Sequence, residues 1–527
     1  MPAPYNRPMP DSNAWLFGPQ VALHRARQSL GSAEHDQILQ TLDVSQPSGQ
    51  RILTLRDQVF SGQKINTSEN RAVGHWALRL VVAGRHAGVS TEGLAQHFAP
   101  DQEDLLPRFS AQDQRVAAFV EDLRSGKVRS AKGLGYTTIV HLGIGGSDLG
   151  PHLLIDALAG NRQNHPIQAK FLSNLDYHAV QHCLAELDPN TTLVAMVSKS
   201  FTTQETLHNS QHLYQWMKDA GIANPLEQFV AITNRTDLAL RWGITEDQTF
   251  WFDQSIGGRY SLWGPVSLTA RAVLGNAVVD EVLAGGLEMD QHFLNTPLLK
   301  NLPAVLAATD FYNLRHRKIP TLMVSAYDSR LSLLVPYLKQ LWMESLGKHT
   351  DQQGRPIQGP ACPILWGDIG TNAQHAFFQL LHQGGQGVAV DLIGTVHPEH
   401  DAVESHQALL ANLIAQAQAL SLGYESSDPN KSCWGGHPVH LFMLDRLNAR
   451  SLGAFLCMWE HRVICLAALT GVNPFDQWGV ELGKAIAGSA IAAMREDSTK
   501  HLTPNGQPIA HQIDAVSQSI IDWIKQR

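Results

Sequence analysis

Cysteine is scarce in this 527-residue chain. There are five, Cys183, Cys362, Cys433, Cys457 and Cys465, an odd number with no C-x-x-C pair. Neither a disulfide framework nor a zinc knuckle fits that set, and reduced, buried thiols in a cytoplasmic protein are expected. A strong excess of one charge is also missing. Lys and Arg total 40 against 48 for Asp and Glu, a formal net charge of −8, and no stretch gathers the cations into the stripe that a nucleic-acid backbone requires. Nucleic acid is therefore not an expected partner. No long uninterrupted apolar run occurs. The most apolar stretch, 452–469, carries Glu460, His461 and Arg462 at its centre, so a membrane is not an expected partner either. The opening MPAPYNRPMPDSNAW lacks the apolar region of a signal peptide. Repeats, low-complexity blocks and the G-x-x-x-x-G-K-[ST] loop of nucleotide hydrolases are absent as well. What remains is a chain with 43% AVILMFWYC and 17% charged residues, the composition of a globular protein long enough to bury a large core.

The order of elements points to an α/β class. Strand candidates at 137–142, 169–172, 191–197 and 229–233 alternate with helical stretches near 148–158, 203–218 and 234–241, the pattern of a parallel, doubly wound sheet. A second series follows at 320–324, 363–366 and 388–393. Two three-layer αβα sandwiches are expected, at 111–275 and 285–490, with a mostly helical extension over 1–110 packing on the second and a helical tail over 491–527.

Two strand ends carry phosphate-binding chemistry. GIGGSDLGP joins the strand ending at Leu142 to a helix, and Gly145, Gly146 and Ser147 let backbone amides and a hydroxyl approach an anion at a helix N-terminus. It is not a dinucleotide fingerprint, because Asp148 occupies the third small position of G-x-G-x-x-G. The strand ending at Val197 runs into SKSFTTQET, where Ser198, Lys199, Ser200 and Thr203 could supply many donors to the oxygens of a phosphate monoester. Over-capping of the following helix is the alternative for that cluster. In a parallel sheet both loops fall at the carboxyl ends of strands, on one edge, which argues for a sugar-phosphate pocket.

The second half supplies an acid, a base and a cation. Arg259 follows two glycines in SIGGRYSLWGPVS, and Glu344 sits among Trp342, Met343 and Leu346 in MESLGK. His375 precedes two phenylalanines in GTNAQHAFFQ, while Lys484 lies three residues after Glu481 in GVNPFDQWGVELGK. Read singly, each segment fits a surface salt bridge or a helix end better than a site. His397, Glu399, His400, Asp401, Glu404 and His406 form the one cluster with metal-ligand character, but Pro398 and its place after a strand suit a solvated loop entering a helix.

Together these segments resemble the glucose-6-phosphate isomerase family over about 140–490, almost position by position in SIGGRYSLWGPVS and GVNPFDQWGVELGK. The chain departs from the commonest family pattern at Ser200, Leu341, Leu346 and Ala373. The resemblance implies a pair of sugar-isomerase (SIS) domains, a homodimer with shared active sites, no cofactor and no metal. It also implies reversible conversion of glucose 6-phosphate to fructose 6-phosphate, a reaction of glycolysis and gluconeogenesis. In that reading Glu344 is the base, Arg259 the cation beside the enediol, and His375 and Lys484 the ring-opening pair. Gly146, Ser147, Ser198, Lys199, Ser200 and Thr203 then line the phosphate end, and Gln340 and Gln477 touch sugar hydroxyls. A catalytically silent sugar-phosphate sensor on the same fold is the rival reading, although it would have no need of Glu344, Arg259, His375 and Lys484 together.

Overall fold

A computed structural model describes residues 15–495 and 513–527, apart from 26, 28–29, 84, 86–90, 92, 96 and 161–164. Its described residues build two sheets with helices on their faces. A short antiparallel hairpin, β1 (Trp15–Gly18) and β2 (Val21–His24), comes first. The first sheet then takes β3 (Thr138–Leu142), β4 (Gln168–Leu172), β5 (Thr192–Val197), β6 (Phe229–Thr233) and β7 (Thr249–Trp251), all parallel, in the order β4-β3-β5-β6-β7. Every residue of β5 is buried. Its continuous apolar run needs cover on both faces, and the crossover helices of a parallel sheet, Leu149–Leu158 and Gln204–Asp219 among them, provide it.

Strands β8 (Thr321–Ala326), β9 (Ile364–Gly367), β10 (Ala389–Thr395) and β11 (Val439–Leu444) form a second parallel set. The hairpin joins its edge through β2, antiparallel to β11. Helices Ser32–Leu42 and Pro47–Phe60 are the longest described elements of the first hundred residues, but the hairpin was not anticipated. Strands of four residues carry little periodicity, and the partner of β2 lies more than four hundred residues further along the chain. β7 and β11 were not anticipated either. Residue 110 falls inside helix Leu106–Arg124 and residue 285 inside helix Asn276–Asn295. The proposed tail is described as the end of helix Glu481–Arg495 and helix Ala515–Lys525, and its residues 496–512 lie outside the described residues.

Helix Ala449–Thr470 runs through the core against Asn276–Asn295 and Leu302–Arg315. By length and composition it could cross a membrane, yet it is enclosed by the fold on every side. Its central charges are matched. Glu460 accepts from Arg79 (2.9 Å) and the Trp263 indole (2.8 Å), and Arg462 forks onto Asp310 at 2.7 Å while also reaching Asp391. Such fully buried ions are tolerated only when paired and hydrogen-bonded.

Strand order places the site. In the first sheet the connections reverse direction between β3 and β5, and in the second between β8 and β10. Open α/β sheets bind ligands in the crevice outside the carboxyl ends of strands at such points. Both hydroxyl-bearing loops leave β3 and β5.

Candidate active site

Gly145 turns the first loop at φ +60°, the left-handed region that glycine adopts freely. At Gly146 a Cβ would lie 2.1 Å from the backbone of Gly258, so this loop and the one carrying Arg259 can pack backbone to backbone only with glycine there. The buried His141 ring holds the loop from beneath. Its Nε2 donates to the Ser147 carbonyl (2.6 Å) and its Nδ1 accepts from Thr269 Oγ1 (2.9 Å). Burial pulls its pKa down to about 4, which keeps the ring neutral and that pattern intact.

The second loop is pinned by its own hydroxyls. Ser198 Oγ meets Thr203 Oγ1 at 2.9 Å, and Thr202 Oγ1 donates to Ser200 Oγ at 2.8 Å. Thr203 occupies the N-cap position of helix Gln204–Asp219, but its hydroxyl does not cap a helix amide. Over-capping is therefore not what orders this cluster. Lys199 is not a free cation in the loop: its Nζ donates to the carbonyls of Gln254 (2.8 Å) and Ile256 (2.7 Å), just ahead of Gly257-Gly258-Arg259. Desolvation, helped by the nearby Arg71, pulls its pKa down to about 7. Both strand-end loops thus brace the segment that carries Arg259.

The Arg259 side chain is 1% exposed. Its Nε donates to Ser345 Oγ (2.6 Å), and Nη2 donates to the carbonyls of Pro474 (2.6 Å) and Asp476 (3.0 Å). Only Nη1 faces the site, toward Glu344 Oε1 (2.9 Å) and Gln477 Oε1 (3.1 Å). Glu344 ends a π-helical turn, Gln340–Glu344, a wider coil that brings Gln340 Nε2 to the second carboxylate oxygen at 2.9 Å. The carboxylate is not sealed in an apolar pocket, because its side chain is 26% exposed. Leu341 and Leu346, where the chain departs from the common pattern, are buried in the core. Lys348 ties this turn to the next loop, donating to the carbonyls of Glu344 (2.6 Å), Ser345 (3.1 Å) and Asp476 (2.9 Å).

Arg259, Glu344, Gln340 and Gln477 therefore meet, and Gly146 abuts Gly258. His375 and Lys484 do not join them by any hydrogen bond among the described residues. His375 lies exposed on the short helix Asn372–Ala376. Lys484 is 67% exposed on helix Glu481–Arg495 and bonded to Glu481 (2.7 Å). Ser345, Lys348 and the carbonyls of Pro474 and Asp476 were missed at the sequence level. A backbone acceptor leaves no trace in residue identity, and Ser345 stood inside a quoted motif without a partner to suggest its use.

Among the described residues, Asp290, Cys457 and His461 are one trio with metal-ligand spacing. Both Asp290 oxygens are already held by Arg79 at 2.7 Å, and burial keeps the Cys457 thiol far above its usual range, so the trio is a closed hydrogen-bonded cluster. In the 397–406 stretch, Glu399 is occupied by Arg330 (2.7 Å) and His406 by the Val396 carbonyl (3.0 Å). Neither set presents converging free ligands.

A carboxylate beside a fixed guanidinium, flanked by two amides and two hydroxyl-rich strand-end loops, defines an α/β enzyme site suited to a polyhydroxylated anion. The sequence matches the phosphoglucose isomerase family over residues 33–506. A glucose-6-phosphate isomerase of Bordetella petrii is 39% identical over 482 residues, covering 88% of this chain and 87% of that protein. One from Sphingopyxis alaskensis is 40% identical over 451 residues, covering 85% and 84%. The crystal structure of a glucose-6-phosphate isomerase from Chlamydia trachomatis aligns with a TM-score of 0.79 at 30% identity, over 92% of this chain and 90% of that one. The chain belongs to the phosphoglucose isomerase family.

Proposed function

We propose that this protein interconverts glucose 6-phosphate and fructose 6-phosphate, in glycolysis and gluconeogenesis, with Glu344 as the proton shuttle. The observation that carries the assignment is the Arg259 Nη1 to Glu344 Oε1 pair at 2.9 Å, in a chain of this family. With the open-chain aldose in place, Glu344 removes the C2 proton. The C2–H electrons form C1=C2, and the carbonyl electrons move onto O1. The O2 hydroxyl proton passes to O1, the O2 electrons form the C2 carbonyl, and the C1=C2 pair takes the proton back from Glu344 at C1. Charge on the enediolate oxygens falls to the Nη1 face of the Arg259 guanidinium, which, with its other hydrogen bonds fixed by the scaffold, reorganises little during reaction. Gly146, Ser147, Ser198, Lys199, Ser200 and Thr203 line the phosphate end, Lys199 also bracing the segment ahead of Arg259, and Gln340 and Gln477 orient hydroxyls. Binding the phosphate away from the reacting carbons supplies orientation energy.

Ring opening falls to His375 and Lys484, and their positions support a homodimer. His375 lies exposed with no hydrogen bond among the described residues. The segment around Lys484 exposes Trp478, Val480, Leu482 and Ile486, an apolar face that a second copy would cover. Each site would combine Glu344 and Arg259 of one chain with His375 of the other. Five free cysteines support a cytoplasmic location. A coupled assay on fructose 6-phosphate with a chelator present tests the reading. Turnover that the chelator does not change is expected, and an inert protein that still binds the sugar phosphate would make it a sensor instead.

A further inference from the structure

All five N–H groups of Arg259 are in use, and three of them belong to the scaffold. Those three set which edge of the planar fork faces the substrate. Tyr260, the next residue in sequence, connects two of their acceptors. Its Oη lies 2.9 Å from Ser345 Oγ and 3.2 Å from the Pro474 carbonyl. The proton count is satisfied when Ser345 receives from Arg259 Nε and donates to Tyr260, and Tyr260 donates to Pro474, whose carbonyl also receives Arg259 Nη2. A closed ring of hydrogen bonds then joins guanidinium, serine, tyrosine and carbonyl.

The tyrosine is itself held still. It is 1% exposed, stacked on His75 with ring centroids 4.7 Å apart, and close to Phe475 at 5.7 Å. Burial pushes its phenol up to about 12, so the hydroxyl keeps its proton over the working range.

We infer that Tyr260 is a positioning residue for the isomerisation, acting through Ser345 and the Pro474 carbonyl to fix the edge of Arg259 that meets the enediolate. The inference rests on the isomerase reading above. Without the phenolic hydroxyl the serine and carbonyl lose their common partner, and the guanidinium can rotate or slide away from Glu344. Misplacement of a catalytic group by about 1 Å can cost up to about 100-fold in rate. The ground-state sugar is held mainly at its phosphate and hydroxyls, so the damage should appear in the chemical step.

The test is Tyr260→Phe in the full-length enzyme, which keeps the ring and its stack on His75. Expected are a kcat lower by about tenfold, a KM for fructose 6-phosphate within about twofold, and weaker binding, by about the same factor as kcat, of a sugar-phosphate hydroxamate that mimics the enediolate. Because Tyr260 acts through Arg259, adding Tyr260→Phe to Arg259→Lys should slow that variant no further. A kcat within twofold of wild type, or a loss that multiplies fully with that of Arg259→Lys, overturns the inference. If Tyr260→Phe does not fold, Ser345→Ala carries the same expectations and Ser345→Thr, which keeps the hydroxyl, should restore most of the rate. An inactive wild-type protein would overturn the isomerase reading, whereas an active wild type with an unaffected Tyr260→Phe overturns only the positioning role.

Discussion

Arg259 and His375 are both assigned to substrate chemistry, yet their surroundings are opposite. The arginine side chain is 1% exposed with every N–H engaged, while the histidine lies exposed and forms no hydrogen bond among the described residues. One half of the proposed site is finished within a single chain, and the other half is presented outward. A group that stabilises developing charge must be fixed beforehand, so its anchors come from its own fold. A group that moves protons to a ring oxygen can arrive from a neighbour, provided the assembly puts it in reach. The same contrast separates Glu344, held by Arg259 and Gln340, from Lys484, 67% exposed on a helix whose buried side is missing among the described residues.

The largest expected effect lies in the finished half. Glu344→Gln removes only the proton shuttle, so turnover should fall by about a hundredfold to ten-thousandfold or more while sugar-phosphate affinity stays nearly intact. Steady-state rates and exchange of the C2 proton with deuterated solvent measure this. Near wild-type turnover with continued exchange would assign the base elsewhere.

A smaller effect should come from the strand-end loops. Ser147→Ala combined with Thr203→Ala removes two hydrogen bonds to a charged ligand, worth about 1.5 to 3 kcal/mol each. The dissociation constant for sugar phosphates should rise accordingly in calorimetry, with a neutral sugar unaffected. Equal weakening toward both would show that the loops do not recognise phosphate.

The smallest expected effect concerns the support under the first loop. The pKa of folded His141, about 4, lies below its ordinary 6.5. Its neutral hydrogen-bond pattern is fully stabilising above pH 6.5, and that contribution is lost as pH falls through about 4. The difference corresponds to roughly 3 kcal/mol. Urea unfolding from pH 7 to pH 4 should show a steeper loss for wild type than for His141→Asn, and parallel curves would remove His141 from the account.

The parts of the fold legible in the sequence are those with local signals. β3, β5 and β6 appear as largely apolar, β-branched runs that end at Gly143, Ser198 and Asn234, within a residue or so of their observed bounds. β11 was not read from the sequence; its His440 is paired with Asp391 of β10 at 2.9 Å. β1 and β2 are too short for a period to show, and the pairing of β2 with β11 is non-local. At the site, Arg259, Glu344, Gln340 and Gln477 were legible through the resemblance to the family rather than from their own segments. The three scaffold bonds that orient Arg259 were not, since two end on carbonyls and the third on a serine with nothing in its neighbours to mark it. Lys199 has a use that its identity does not reveal. Its charge suggested a phosphate contact, and its ammonium group also donates to two carbonyls of the segment ahead of Arg259.

Subunit complementation tests the divided site most directly. Glu344→Gln and His375→Ala, each expected to be inactive alone, can be mixed, dissociated and reassembled. If His375 serves the partner's pocket, every mixed dimer contains one doubly damaged site and one intact site. With random pairing about half of the dimers are mixed, so activity should recover to roughly one quarter of wild type. A mixture that stays inactive after verified subunit exchange would contradict the account and return His375 to its own chain's pocket.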